Sequence, residues 1–106
     1  MDNYILDENN CPRSVNIHEY MEWHATIPEE IKTGFGFTLA RDEDDEVTVS
    51  TVFLGHDMRY DEGEPILWET MVFGGPDDQE YQRYSSKEDA LTGHKEWCEK
   101  YLNKNE

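Results

Sequence analysis

Ile66-Leu67-Trp68-Glu69-Thr70-Met71-Val72-Phe73 is an eight-residue run bracketed by Pro65 and Gly74-Gly75-Pro76. It is too short and too rich in β-branched and aromatic residues to be anything but a strand. Alternation puts Ile66, Trp68, Thr70 and Val72 on one face and Leu67, Glu69, Met71 and Phe73 on the other. Both sets are mostly apolar, which predicts a central strand covered on both sides. A second run of the same kind, Val47 to Leu54, ends at Gly55.

The elements around these two strands follow from changes of period. Phe35, Phe37 and Leu39 alternate with Gly36, Thr38 and Ala40, then the acidic run Asp42 to Glu46 leads into Val47. These predict a hairpin with the acidic run at its tip. Gly74 to Asp78 is a strong turn signal, and Tyr81 to Tyr84 reads as a more polar return strand nearer the edge. Ile17, Tyr20, Met21 and His24 recur at helical spacing behind an Asn16-x-x-Glu19 capping pair, predicting a short helix over about 16–24. Pro28 opens a further possible turn of helix that Gly34 stops, and Tyr4-Ile5-Leu6 is a strand end or a loop. The last helix is capped by Ser85 with Glu88 at N3, and Ala90, Leu91, Trp97, Cys98, Tyr101 and Leu102 form its apolar face. Helix, hairpin, hairpin, helix predicts one α+β domain over 1–106: an antiparallel sheet of about four strands with an N-terminal and a C-terminal helix on one face. Trp68, Phe73, Trp97 and Leu102 are its expected core anchors.

A chain of 106 residues buries roughly 65% of its unfolded surface, enough for one modest core. It has no long apolar run and opens without a signal-peptide pattern, which points to the cytoplasm and away from a membrane. Cys11 and Cys98 form no CxxC pair, and reduced thiols are the favoured reading over a disulfide pinning the N-terminal segment to the last helix.

The formal net charge is −16, and it is local. Asp42 to Glu80 hold thirteen acidic side chains against the single basic Arg59. A field of one sign in one region steers a basic partner toward it. The partner-binding candidates are therefore Asp42, Glu43, Asp44, Asp45 and Glu46 on the hairpin tip, with Asp57, Asp61, Glu62 and Glu64 between the central strands. Direct nucleic-acid binding is disfavoured by the same charge. Imitation of the DNA phosphate array, to block a nuclease, a CRISPR effector or another DNA-binding protein, is one form such a module takes. Acidity serving solubility alone stays open beside it.

Catalytic and metal signatures are weak. His18-Glu19-x-x-Glu22 places Glu22 where the HExxH zinc motif needs its second His. Asp57, Asp61 and Glu64 lack the calcium-loop spacing, and Glu62 occupies the turn position that requires Gly. Glu69, a carboxylate in an apolar strand, must be paired, hydrogen-bonded or protonated. Arg83 on the return strand is the structural partner, whereas His56, Asp57 and His94 would make a metal site or an acid–base group, so a small metal-binding protein or hydrolase centred on Glu69, His56 and His94 is the alternative. No nucleophile elbow or phosphate loop occurs, and no cofactor is implied.

Val49 to Gly55, Trp68 to Gly75, Arg83-Tyr84-Ser85 and Gly93-His94 together resemble a family of small uncharacterised proteins found in bacteriophage genomes and prophage-bearing bacteria. The likeness covers roughly residues 47–98. The chain departs from it in having Trp68 where a Phe is usual, His56-Asp57-Met58 where an Asp-His pair is usual, and a long Phe35 to Glu46 hairpin. The resemblance implies no activity, cofactor or functional residue, only a setting: an accessory protein inside an infected bacterial cell.

Overall fold

The computed structural model describes residues 3–58 and 63–102. The elements in chain order are β1 (Asn3–Leu6), β2 (Pro12–Val15), α1 (Ile17–Ala25), β3 (Phe37–Glu43), β4 (Thr48–Phe53), β5 (Trp68–Phe73), β6 (Tyr81–Tyr84) and α2 (Lys87–Tyr101). β3 to β6 form an antiparallel meander in chain order, and β1 and β2 pair separately as a hairpin. The fold is α+β.

Alternation sorts the sheet residues onto two faces. Val49, Thr51 and Phe53 of β4 and Trp68, Thr70 and Val72 of β5 are all buried on one face. Both helices lie there: His94 of α2 hydrogen-bonds to Thr51, and Trp23 of α1 packs edge-on against Phe53, with ring centroids 5.8 Å apart. The core has two parts. Leu6, Phe53, Leu67, Trp68, Tyr84 and Ala90 form one cluster, and Val47, Val49, Val72 and Cys98 form the other, with Trp97, Tyr101 and Leu102 against it. Each fully buried large side chain contributes about 1.5–3 kcal/mol.

Among the described residues no element covers the opposite face. Ser50, Val52, Glu69 and Met71 are half-buried there, and Phe73 is 44% exposed. The expectation that β5 is covered twice, with Phe73 in the core, is therefore corrected. Two alternating apolar sets do make β5 an interior strand, but both helices sit on the Trp68 side. Trp97 is half-buried and donates from Nε1 to Gln82 Oε1 at 3.0 Å.

Asn16 caps α1, accepting from Glu19 N at 2.9 Å. α2 is capped by Ser86 rather than Ser85: Ser86 Oγ accepts from Asp89 N at 3.0 Å, one residue later than the capping box suggested. Pro28 to Lys32 makes the single turn expected there, with Ile31 N and Lys32 N both donating to Pro28 O. β2 had no signal of its own. Its Pro12, Arg13 and Ser14 are exposed and hang on β1 through a turn held by Asp7, whose Oδ1 accepts from Asn9 N and Cys11 N. Those backbone donors hold the Asp7 carboxyl below its ordinary pKa. Neither Cys11 nor Cys98 forms a disulfide.

One irregularity decides what the sheet presents to α2. Phe37 pairs with Phe53 and Thr38 with Val52, but Ala40, not Leu39, comes next opposite Thr51, so Leu39 is an extra residue. A β-bulge of this kind reverses the facing of everything beyond it. Asp42, which simple alternation would send to the open face, pairs with Val49 and points to the helix side; Arg41 and Glu43 turn outward and pair with each other at 3.0 Å.

Candidate functional site

The meander brings two turns to the same end of the sheet, β3–β4 at Asp44 to Val47 and β5–β6 at Gly74 to Glu80. They touch. Gly74 has φ +90°, and a Cβ there would run into the carbonyl of Glu46. Each turn is folded around its own carboxylate. Asp44 Oδ1 accepts from Glu46 N and Val47 N, both at 2.9 Å, and Asp78 Oδ1 accepts from Gly74 N at 2.6 Å. The C-terminal end of α2 arrives at the same place, where Tyr101 donates its hydroxyl to Asp77 Oδ2 at 2.8 Å.

The result is an acidic end built from Asp44, Asp45, Glu46, Asp77, Asp78 and Glu80. The helix C-terminus adds its own partial negative charge, about −0.5 of an elementary charge. Asp45, Glu46 and Glu80 are exposed.

The sequence-level candidates therefore separate. Glu43 to Glu46 stay together at this end, and Asp77, Asp78 and Glu80, which were not among the candidates, join them. Asp57 and Glu64 lie in the β4–β5 connection at the other end, where Asp57 Oδ1 accepts from Ile66 N at 3.0 Å and Glu64 is exposed. Asp61 and Glu62 fall outside the described residues. The first group was legible as a charge run; the joining of the two turns needs the strand order.

Asp42 belongs to a different arrangement. Its Oδ2 lies 2.8 Å from His94 Nε2 and 3.7 Å from Cys98 Sγ. On the far side of the imidazole, His94 Nδ1 is 2.7 Å from Thr51 Oγ1, which is 2.6 Å from Thr70 Oγ1. Asp42 comes from the shifted half of β3, Thr51 and Thr70 face each other across β4 and β5, and His94 and Cys98 lie one turn apart on α2. Thr51, Thr70 and His94 are buried, while the Asp42 side chain is 59% exposed. The chain thus runs from the surface to the centre of the sheet. It has the order of a carboxylate–histidine–hydroxyl triad, yet Thr51 is 0% exposed and no substrate reaches its hydroxyl.

Glu69, His56 and His94 are not brought together. Glu69 is on the open face, its Oε2 bonded to Arg83 Nε at 3.0 Å across directly paired residues of β5 and β6. His56 bridges to Asn3 of β1, and its ring meets Phe35 with centroids 3.8 Å apart. Burial lowers its pKa, since a charged ring there loses water. His18 and Glu22 are exposed on α1. The sequence reading missed Cys98 as a partner of His94; the signal available was their four-residue spacing on one face of a helix.

No family model matches the chain, and neither does any curated protein or solved structure. No helix among the described residues is long and apolar enough to cross a membrane.

Proposed function

We propose that the protein is a non-catalytic binding module whose acidic end docks on a basic surface of a partner protein. The observation that carries this reading is the junction of two acidic turns with the C-terminus of α2. Asp45, Glu46 and Glu80 there are exposed, while Asp44 and Asp78 spend one oxygen each on holding the turns rigid. Rigid turns present charge at little entropic cost on binding. Duplex DNA shows one negative charge per about 1.7 Å of axis, so a Lys/Arg groove that accepts DNA is the kind of surface such an end fits. In the setting implied by the resemblance to phage-encoded proteins, the partner is a DNA-binding or nuclease protein in the cytoplasm of an infected bacterium.

The test is capture from a bacterial lysate over a salt series, comparing the natural chain with an Asp45→Asn/Glu46→Gln/Glu80→Gln variant and with Glu64→Gln at the other end. Basic proteins captured at low salt, released as salt rises, displaced by duplex DNA, and lost only in the triple variant are expected. Capture indifferent to salt, or equal for the natural chain and the triple variant, would sink the reading.

A further inference from the structure

We propose that Asp42, His94 and Cys98 form a binding site for a zinc-class divalent metal ion. One oxygen, one nitrogen and one sulfur atom from these residues lie within 4.8 Å of one another. Two of the three donors are not oxygen, which suits zinc or cobalt and disfavours magnesium and calcium.

Of two tetrahedral edges, one fits as it stands and the other requires one side chain to shift. With metal bonds of about 2.3 Å to sulfur and about 2.1 Å to oxygen or nitrogen, a tetrahedron has an S···O edge of about 3.6 Å and an N···O edge of about 3.4 Å. The Cys98 Sγ to Asp42 Oδ2 distance is 3.7 Å. The His94 Nε2 to Asp42 Oδ2 distance is 2.8 Å, a hydrogen bond that has to open by about 0.6 Å. Asp42 is the ligand that can move, because its side chain is 59% exposed. The same exposure leaves a way in for the ion and a fourth position for water.

His94 is held as metal-ligating histidines are, by a partner on its other ring nitrogen. Ligation requires a bare Nε2, with the ring proton on Nδ1 donated to Thr51 Oγ1 at 2.7 Å and the Thr51 hydroxyl turned to Thr70 at 2.6 Å. A threonine hydroxyl both donates and accepts, so the pair accommodates either tautomer. Cys98 binds as thiolate and gives its proton to solvent. This site is independent of the acidic end: it uses none of Asp45, Glu46 or Glu80.

The test is titration of the full chain with cobalt(II) alone, followed by displacement with zinc(II). One cobalt per chain is expected, with a thiolate-to-cobalt charge-transfer band that persists in Cys11→Ser and disappears in Cys98→Ser. Thr51→Val, which removes the group orienting His94, is expected to weaken zinc by about 10–100-fold. Asp42→Asn alters an exposed side chain and is expected to keep the fold by circular dichroism while losing about tenfold or more in zinc affinity. If Cys98→Ser does not fold, Asp42→Asn decides the matter. Cobalt bound without a thiolate band, a band that follows Cys11, or unchanged zinc affinity in Asp42→Asn overturns the proposal.

Discussion

Replacing a helical glycine by alanine ordinarily stabilises a protein, and Gly93 is expected to do the reverse. It lies within α2, where the change should gain about 1 kcal/mol in helix propensity. The structure opposes that gain. A Cβ on Gly93 would sit 2.5 Å from Cζ and 2.6 Å from Cε1 of Tyr84, and nearer still to its hydroxyl. Tyr84 is buried on β6 in the core cluster with Trp68 and Ala90, so moving its ring away from a new Cβ disturbs that packing. Forcing a methyl group into a packed core costs about 1–3 kcal/mol, and carbon atoms this close place the cost near the top of that range. The net expectation is a loss of about 1–2 kcal/mol. For a domain of this size that is a fall in Tm of roughly 4–16 °C. Thermal and urea melts of Gly93→Ala measure it. The same substitution made on top of Tyr84→Ala, where the ring is absent, should stabilise by up to about 1 kcal/mol, because only the propensity gain is left. If Gly93→Ala raises Tm in the natural background, the close approach of α2 to β6 is wrong, and with it the seating of the neighbouring His94 on Thr51.

Three further outcomes are expected. Asp44→Ala should cost about 1–2 kcal/mol in urea melts by stripping Glu46 N and Val47 N of their acceptor, whereas Asp45→Asn/Glu46→Gln should leave stability equal or slightly higher; equal losses from the two would mean that the tip is not organised around Asp44. Glu69→Gln should cost about 1–2 kcal/mol by loosening its bond to the half-buried Arg83, and in an Arg83→Gln background most of that cost should vanish, so an undiminished second loss would count against the pair. His56 has its pKa lowered by burial, so the unfolded chain binds its proton first as pH falls below about 6.5, and stability that is full above that pH declines on acidification. Between pH about 7 and 5 the Tm of His56→Phe should therefore fall less than that of the natural chain; parallel curves would show that this ring is not the titrating group.

What could be read in advance was whatever local chemistry decides alone. Asn16 announces α1 because a side-chain oxygen at a cap acts within three residues, and Gly74-Gly75-Pro76 announces its turn because few other residues tolerate that backbone. Glu69 and Arg83 were legible together because antiparallel pairing follows from the turn between their strands. What stayed hidden depended on relations between elements. Phe73 belongs to a set as apolar as the Trp68 set, and nothing in β5 itself says which set the helices choose. Pro12 to Val15 carries no alternation and becomes a strand only because β1 offers it an edge. Asp42 looked like one more solvated acid of a run. Its meeting with His94 and Cys98 rests on one extra residue at Leu39 and on the placement of a helix that starts more than forty residues later.

The bulge at Leu39 also bears on how copies of this protein behave toward one another. β3 is an outer strand, and a long regular outer strand offers a ladder of backbone groups on which a second sheet can grow. The extra residue breaks the spacing of that ladder near its middle, and beyond it Asp42 and Glu43 add like charges that would repel in copy-to-copy pairings centred on that half of the strand. Acid removes the second safeguard and leaves the first. A chain whose colloidal stability depends mostly on ionised carboxylates thus keeps one geometric defence at its outer rim, in the same backbone step that turns Asp42 toward α2.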